Sequence, residues 1–400
     1  MGELGGGTPV SATLSKAAGS GAAEKLSRIA ADVRPSDLDG LVLDYGGGTV
    51  EVRSDLALEL DELAELFLPF MSVERLAAGS GAVPERDFAV VSVEAADIET
   101  LVTELHASSE PHSLYDGLPG WIARLSDEEV AIFRREHPQW IVLLRPSETS
   151  VTVLRSEAGH DRTLGEHLAK EPLKMAARSH GLVSLHAAAC SFGGAGVLLA
   201  GPKRSGKTTL LMHLLGGGAA YVGNDAVRLD LRPDGRVGLK PWPHMIRLDD
   251  KTILGNDLLR AARLIERASA GDSNLTRGPD GKLELYYPTL AQGTGQERPE
   301  ERATLEAILL PEFDEAWQGA VETEPIEDED ELRRTFEAEL REDHSIRWLP
   351  AFDFESTGAK DAEGLERLLA DPPPAFRVRY GPDSSGVAES IRALLRRAES

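Results

Sequence analysis

Gly201-Pro202-Lys203-Arg204-Ser205-Gly206-Lys207-Thr208 spells the pattern G-x-x-x-x-G-K-[ST] in full. Before it, Gly196-Val197-Leu198-Leu199-Ala200 is a short apolar run bounded by glycine, the pattern of a buried parallel strand. After it, Thr209-Leu210-Leu211-Met212-His213-Leu214-Leu215 predicts a helix stopped by Gly216-Gly217-Gly218. Strand, loop and helix agree, so the octapeptide reads as a phosphate-binding loop. Gly201 and Gly206 let backbone N–H groups turn inward at a helix N-terminus, with Lys203, Arg204, Ser205 and Thr209 as the loop's other phosphate-side residues. Lys207 reaches terminal phosphates, and Thr208 offers its hydroxyl to Mg²⁺. The cofactors expected are therefore ATP and Mg²⁺.

Working outward, the 400 residues suggest two domains. Residues 1–34 are rich in Gly, Ala and Ser and read as a disordered tail outside the fold, with at most a short helix near Glu24 to Ala31. Residues 35–157 read as a smaller α+β domain for accessory or substrate-recognition purposes. Within it, Leu41 to Tyr45 and Thr49 to Arg53 flank Gly46-Gly47-Gly48 as a hairpin, and Leu56 to Leu66 predicts a helix. Phe88 to Val93 predicts a strand, and Trp140 to Arg145 with Ser150 to Arg155 a second hairpin. Ser126 with Glu129 has the spacing of a capping box, which predicts a helix ending before Pro138.

Residues 158–400 form the phosphate-loop domain in this reading. Leu164 to Ala177 predicts a helix broken at Pro172, and Leu185 to Cys190 a small-residue strand beside the loop strand. Ala219 to Gly223 predicts a strand ending at Asn224-Asp225 and continued by Ala226 to Leu229, with Val237 to Lys240 paired across the Pro233-Asp234-Gly235 turn. Thr304 to Leu310 and Ala375 to Tyr380 are further strands, and Val387 to Arg397 a closing helix. Ser273 to Lys282, near a long helix starting at Asn256, is either a flap over a substrate or an ordinary surface hairpin.

Composition limits the function classes. Lys and Arg number 43 against 67 Asp and Glu, a net charge of −24 that repels a phosphate backbone and argues against nucleic-acid binding. The acidic run in residues 322–343 reads as a solvated loop and helix face. No apolar stretch reaches the roughly 18 residues of a membrane span, and neither a signal peptide nor a myristoylation motif stands at the N-terminus. A cytoplasmic protein without membrane contact is expected. Cys190 stands alone and cannot form an internal disulfide.

No transporter signature and no guanine-recognition motif accompanies the loop. Instead His186 precedes it by fifteen residues, and Asn224-Asp225 follows Lys207 at a strand end, bringing an imidazole, an amide and a carboxylate toward the phosphates. Read alone, His186 is either a hydrogen-bonded structural histidine or a functional one. His160, His167, His180 and His244 show no metal-ligand spacing.

Leu185-His186-Ala187-Ala188-Ala189, the loop with its strand, and Tyr221-Val222-Gly223-Asn224-Asp225 together resemble the catalytic domain of the HPr kinase/phosphorylase family, over about residues 181–229. Pro241-Trp242-Pro243 to Ile246-Arg247-Leu248 and the Leu305 to Pro311 strand look like later elements of such domains. The resemblance implies an α/β fold, a P-loop HPr-kinase-like domain with a mixed sheet, and transfer of the terminal phosphoryl of ATP to a hydroxyl of a protein, peptide or small molecule. It also implies a homo-oligomer.

The family keeps two consecutive aspartates where this chain has Asn224 and Asp225, and the first of them takes the proton from the attacking hydroxyl. On the resemblance, Asp225 and Thr208 serve the metal, His186 or Asp225 acts as base, Asn224 aligns the acceptor, Lys207 serves the phosphates, and Arg247 is a candidate transition-state cation. Asp249 or Asp250 stands in for the family's additional glutamate. The alternative is a regulatory ATPase or nucleotide-binding partner protein that has lost the base.

Overall fold

The computed structural model of the protein describes residues 21–81, 86–113, 119–156, 161–232, 234–272, 274–278, 280–340, 357–382 and 386–398. The expectations for residues 1–20, His160, Pro233, Ser273, Pro279 and 341–343 lie outside them. The fold is mixed α/β, and the described residues group into two compact units, one holding residues 21–180 and the other residues 181–340 and 358–398.

In the first unit, α1 (Gly21–Asp32) precedes β1 (Asp39–Tyr45), β2 (Gly48–Ser54), α2 (Ala57–Phe67), β3 (Ser72–Leu76), β4 (Phe88–Glu94) and α3 (Ile98–His106). Then come β5 (Glu110–Ser113), β6 (Pro119–Arg124), β7 (Val130–Arg134), β8 (Trp140–Arg145), β9 (Ser150–Arg155) and α4 (Arg162–Ser179). The strands make one sheet in the order β3-β1-β2-β4-β9-β8-β7-β6-β5, parallel at β2–β4 and β4–β9. The β1–β2 hairpin forms as expected, turning on Gly46 and Gly47 with φ of 62° and 89°, values that suit a tight two-residue turn.

Three expectations need correction here. The helix predicted after Ser126 is strand β7. The Ser126 hydroxyl accepts from the N–H groups of Glu128 and Glu129, but this closes the turn between β6 and β7, and the buried Ala131, Ile132 and Phe133 pair with neighbours on both sides. Local capping chemistry lost to sheet packing. Helix α4 runs through Pro172 without a break, and Gly48 lets it approach β2 so closely that a Cβ there would lie 2.7 Å from the Ala176 Cβ. This packing on β2, α2 and β1 is why α4 belongs to the first unit.

The end of the supposed tail is also part of the fold. Ala22, Leu26 and Ala30 recur every four residues on one helical face and are buried in the cluster that holds Leu101, Val102 and Leu105 of α3. Leu26→Ala is expected to destabilise the first unit by about 2–5 kcal/mol. A shift of under about 0.5 kcal/mol in denaturant unfolding would show that α1 is not packed.

The second unit opens with β10 (Leu182–Leu185), β11 (Ala188–Phe192), β12 (Ala195–Leu199), α5 (Lys207–Gly216), β13 (Ala220–Gly223), β14 (Val227–Leu231) and β15 (Val237–Lys240). It continues with β16 (Ile246–Leu248), α6 (Asp250–Leu254), α7 (Asp257–Ala261), α8 (Leu264–Ser269), β17 (Leu275–Arg277), β18 (Leu283–Leu285) and α9 (Tyr287–Thr294). It closes with β19 (Ala303–Phe313), β20 (Glu322–Pro325), α10 (Glu329–Glu339), α11 (Thr357–Ala370), β21 (Ala375–Tyr380) and α12 (Val387–Ala398). The main sheet has the order β10-β14-β15-β19-β12-β11-β13, with β21 on β19 and β20 on β21. It is mixed: β12–β19 and β19–β21 are parallel, as expected for the strand leading into the loop. A small sheet, β16-β18-β17, stands apart.

Two predicted strands are interrupted. Leu185 to Cys190 breaks at His186-Ala187, and the strand predicted through Asn224-Asp225 breaks there, where Asp225 adopts a left-handed φ of 60°. The pairing resumes in register. Leu185 opposes Val227 on one side of the gap and Ala189 opposes Gly223 on the other, so one antiparallel ladder opens for residues 186–188 and 224–226. The single helix predicted from Asn256 is instead α7 and α8, separated at Arg263 with φ of 52°. Residues 274–278 and 280–282 belong to the β17–β18 hairpin, the ordinary surface reading of that segment.

No helix among the described residues is long and apolar enough to cross a membrane. Cys190 is fully buried in β11, and burial pushes its thiol up to about 12. At pH 8 it is therefore neutral, and a thiol reagent is expected to label it only as the second unit unfolds. Labelling at the rate of a free thiol under native conditions would contradict that burial.

Candidate functional site

The loop leaves β12 and enters α5 through residues whose backbone is left-handed. Gly201 has φ of 133°, Arg204 73° and Gly206 102°. Ser205 N–H donates to the Pro202 carbonyl and closes a turn inside the loop, while Phe313 N–H donates to the Ser205 carbonyl. The Tyr380 hydroxyl donates to the Gly206 carbonyl at 2.7 Å, and burial raises that phenol above its ordinary value, keeping it a donor. A Cβ on Gly206 would lie 2.5 Å from this hydroxyl and 2.7 Å from the Phe313 Cβ, so only glycine fits. Gly206 is also the N-cap of the ten-residue α5, whose positive end faces the loop.

Lys207 is buried, and its ammonium donates to the carbonyls of Gly201 and Pro202. Lys203 and Arg204 are exposed beside the loop. The Thr208 hydroxyl donates to the Asn224 side-chain carbonyl at 3.0 Å, so its partner is the amide and not Asp225. Asn224 is wholly buried, and its amide nitrogen makes no hydrogen bond. The amide oxygen is thus used on the loop threonine. Thr209 turns away from the loop, its hydroxyl 3.0 Å from that of Thr252 in α6.

His186 and Asp225 meet across the opened ladder, with Nε2 3.7 Å from Oδ1. On the ring's other side, Nδ1 lies 2.9 Å from Oε2 of Glu339. Oε1 of Glu339 lies 3.6 Å from the Lys207 ammonium. Imidazole, carboxylates and loop lysine therefore form one continuous cluster of titratable side chains. Glu339 escaped the sequence reading because it sits in the acidic run taken for a solvated face. The available signal was its spacing: Leu332, Phe336 and Glu339 fall on one helical face, and all three are buried.

Three other candidates are used elsewhere. Arg247 lies in β16 and donates to Asp280 at 2.9 Å with Glu284 3.2 Å away. Asp249 caps α6 by accepting from Thr252 N–H, and Asp250 receives the Arg277 guanidinium. Capping and hairpin closure account for all of them.

The donor set fits a polyphosphate. The α5 N-terminus, Lys207, Lys203 and Arg204 supply positive charge, and Ser205 Oγ and Asn224 Nδ2 are buried polar atoms without a hydrogen-bond partner around the loop. Among the described residues, no group of three or more His, Cys, Asp or Glu side chains is arranged to hold a metal by itself. The chain matches no protein-family model and no curated protein.

Gly206→Ala is expected to cost about 2 kcal/mol through left-handed strain, and more through the clash with Tyr380 and Phe313. Thermal unfolding and nucleotide titration of the variant check this. Unchanged stability together with unchanged nucleotide affinity would show that the cradle is not built as described.

Proposed function

We propose that the second unit binds ATP with Mg²⁺ at the Gly201–Thr208 loop and transfers the terminal phosphoryl group to a hydroxyl of a protein, peptide or small molecule. The reading takes the unit as a kinase-like domain of the HPr kinase/phosphorylase type. What carries it is the cluster of His186, Asp225 and Glu339 beside Lys207, because a loop that only held nucleotide would not need an imidazole flanked by two carboxylates.

In this mechanism the loop amides and the α5 N-terminus hold the phosphates, and Lys207 exchanges its loop carbonyls for phosphate oxygens. Thr208, oriented by Asn224, and Asp225 are the side chains that would hold Mg²⁺, which when bound neutralises phosphate charge. In this reading His186 or Asp225 takes the proton of the acceptor hydroxyl. The oxygen–phosphorus bond to the acceptor forms as the bridging bond to the β-phosphate breaks, and ADP leaves.

A second reading has its own observation. Asn224, at the family's base position, is an amide committed to Thr208, which favours a regulatory ATPase or nucleotide-binding partner protein.

Calorimetry with ATP and Mg²⁺, followed by mass-shift detection of phosphorylated acceptors, separates the readings. Lys207→Ala is expected to weaken nucleotide binding at least about tenfold. Asp225→Ala is expected to keep binding and lower turnover about 10²-fold or more. Turnover equal to the parent protein in Asp225→Ala would remove that residue from the chemistry. Tight binding with neither transfer nor hydrolysis would select the second reading.

A further inference from the structure

Asn224 is wholly buried, yet only half of its amide is used. Its Oδ1 accepts the Thr208 hydroxyl at 3.0 Å, and its Nδ2 is a buried donor without a hydrogen-bond partner. A donor taken out of water and left unpaired costs its full desolvation, so such a group persists where something else returns the bond. The backbone leaves the side chain little room to turn elsewhere. Gly223 before it packs so tightly that a Cβ there would lie 2.9 Å from the Ala226 carbonyl oxygen, and Asp225 after it is left-handed, with φ of 60°. Thr208, which fastens Oδ1, is the second residue of α5, so the amide lies against the first turn of that helix, whose N–H groups have no carbonyl within the helix. Ser205 Oγ, just before the N-cap Gly206, is a second buried polar atom without a partner, and a Cβ on Gly201 would lie 3.3 Å from it.

We infer that Asn224 is a phosphate ligand: with Oδ1 fastened to Thr208, Nδ2 donates to an oxygen of the polyphosphate held at the start of α5, a bond that needs no divalent cation. The inference rests on the reading of residues 201–208 as a nucleotide loop and gives the amide its own use there. A carboxylate in the same place would accept from Thr208 equally well, but it would offer no donor and would set a negative charge against the phosphates. The amide does the reverse, in a chain whose net charge of −24 otherwise repels an anion. Phosphate binding and metal binding thereby become separable, because neutral donors and the helix end suffice to seat the phosphates.

The test is calorimetry of the full chain with inorganic tripolyphosphate and with ATP, each first in EDTA and then with Mg²⁺. The parent protein is expected to bind both in EDTA. Asn224→Asp keeps the shape and the acceptor for Thr208, and at pH 8 it is expected to weaken metal-free binding of either ligand at least about tenfold, with a smaller loss in Mg²⁺. Asn224→Ala removes the donor and adds no charge, and should weaken metal-free binding at least about threefold.

A parent protein that binds these ligands only with Mg²⁺, or metal-free binding in either variant equal to the parent's, would overturn the inference and leave the nucleotide reading standing. The first of these needs no substitution, so it stays decisive if a variant misfolds. It is also the result expected if the amide is turned over, with Nδ2 on Thr208 and Oδ1 presented to the ligand, since that oxygen repels phosphate. Tripolyphosphate bound in EDTA and lost in Asn224→Asp, without transfer from ATP, would keep the role of the amide and remove the kinase reading. Binding of neither ligand under any of these conditions would overturn both.

Discussion

An antiparallel ladder that opens for three residues on each strand and then resumes in register is the constraint on which the site depends. Main-chain donors and acceptors released from a sheet must find other partners, since a buried orphan costs about as much as a lost hydrogen bond. Here the left-handed turn at Asp225 accommodates the opening on one strand, and the Glu339 carbonyl takes the His186 amide on the other. The side chains of the opening are thereby held at fixed height beside the phosphate loop. A continuous ladder would place them in strict alternation above and below the sheet, and His186 would not face Asp225 as it does.

The loop is held from outside itself as much as by its own turn. Phe313 at the end of β19 and Tyr380 at the end of β21 both reach it, one through its N–H and one through its hydroxyl, and both press on the face of Gly206. Parallel pairing of β19 with both β12 and β21 brings those two strand ends to the loop. The parallel core of an otherwise largely antiparallel sheet therefore has a direct use: it aligns three strand ends of the same polarity at the Gly201–Thr208 loop.

Much of this was legible in the residues, and the failures have physical reasons. The loop, its strand and its helix were readable because glycine, lysine and an apolar run each have one good conformation there. The ladder break was not. Ala187 and Ala188 are as compatible with strand as with turn, and Asn224-Asp225, although of the types that tolerate a left-handed φ, stand inside a run whose apolar flanks read as one strand. The β7 segment deceived because Ser126 caps a turn with the same bonds that begin a helix. Glu339 was hidden by the acidic residues around it, although its spacing from Leu332 and Phe336 pointed inward. The alanines of α1 resembled a tail because small residues bury little area each, yet Leu26 among them anchors the helix.

The hydroxyl of Tyr380 on the Gly206 carbonyl also orders events in time. The loop at residues 201–208 leaves the ribosome long before β21 is made, and until Tyr380 arrives one face of Gly206 is unsupported. Nascent chains therefore carry the whole phosphate-loop sequence without a finished cradle. The loop's final support is conferred late, by a strand more than a hundred and seventy residues downstream, so a chain cut short before it would present the loop's sequence and lack its shape.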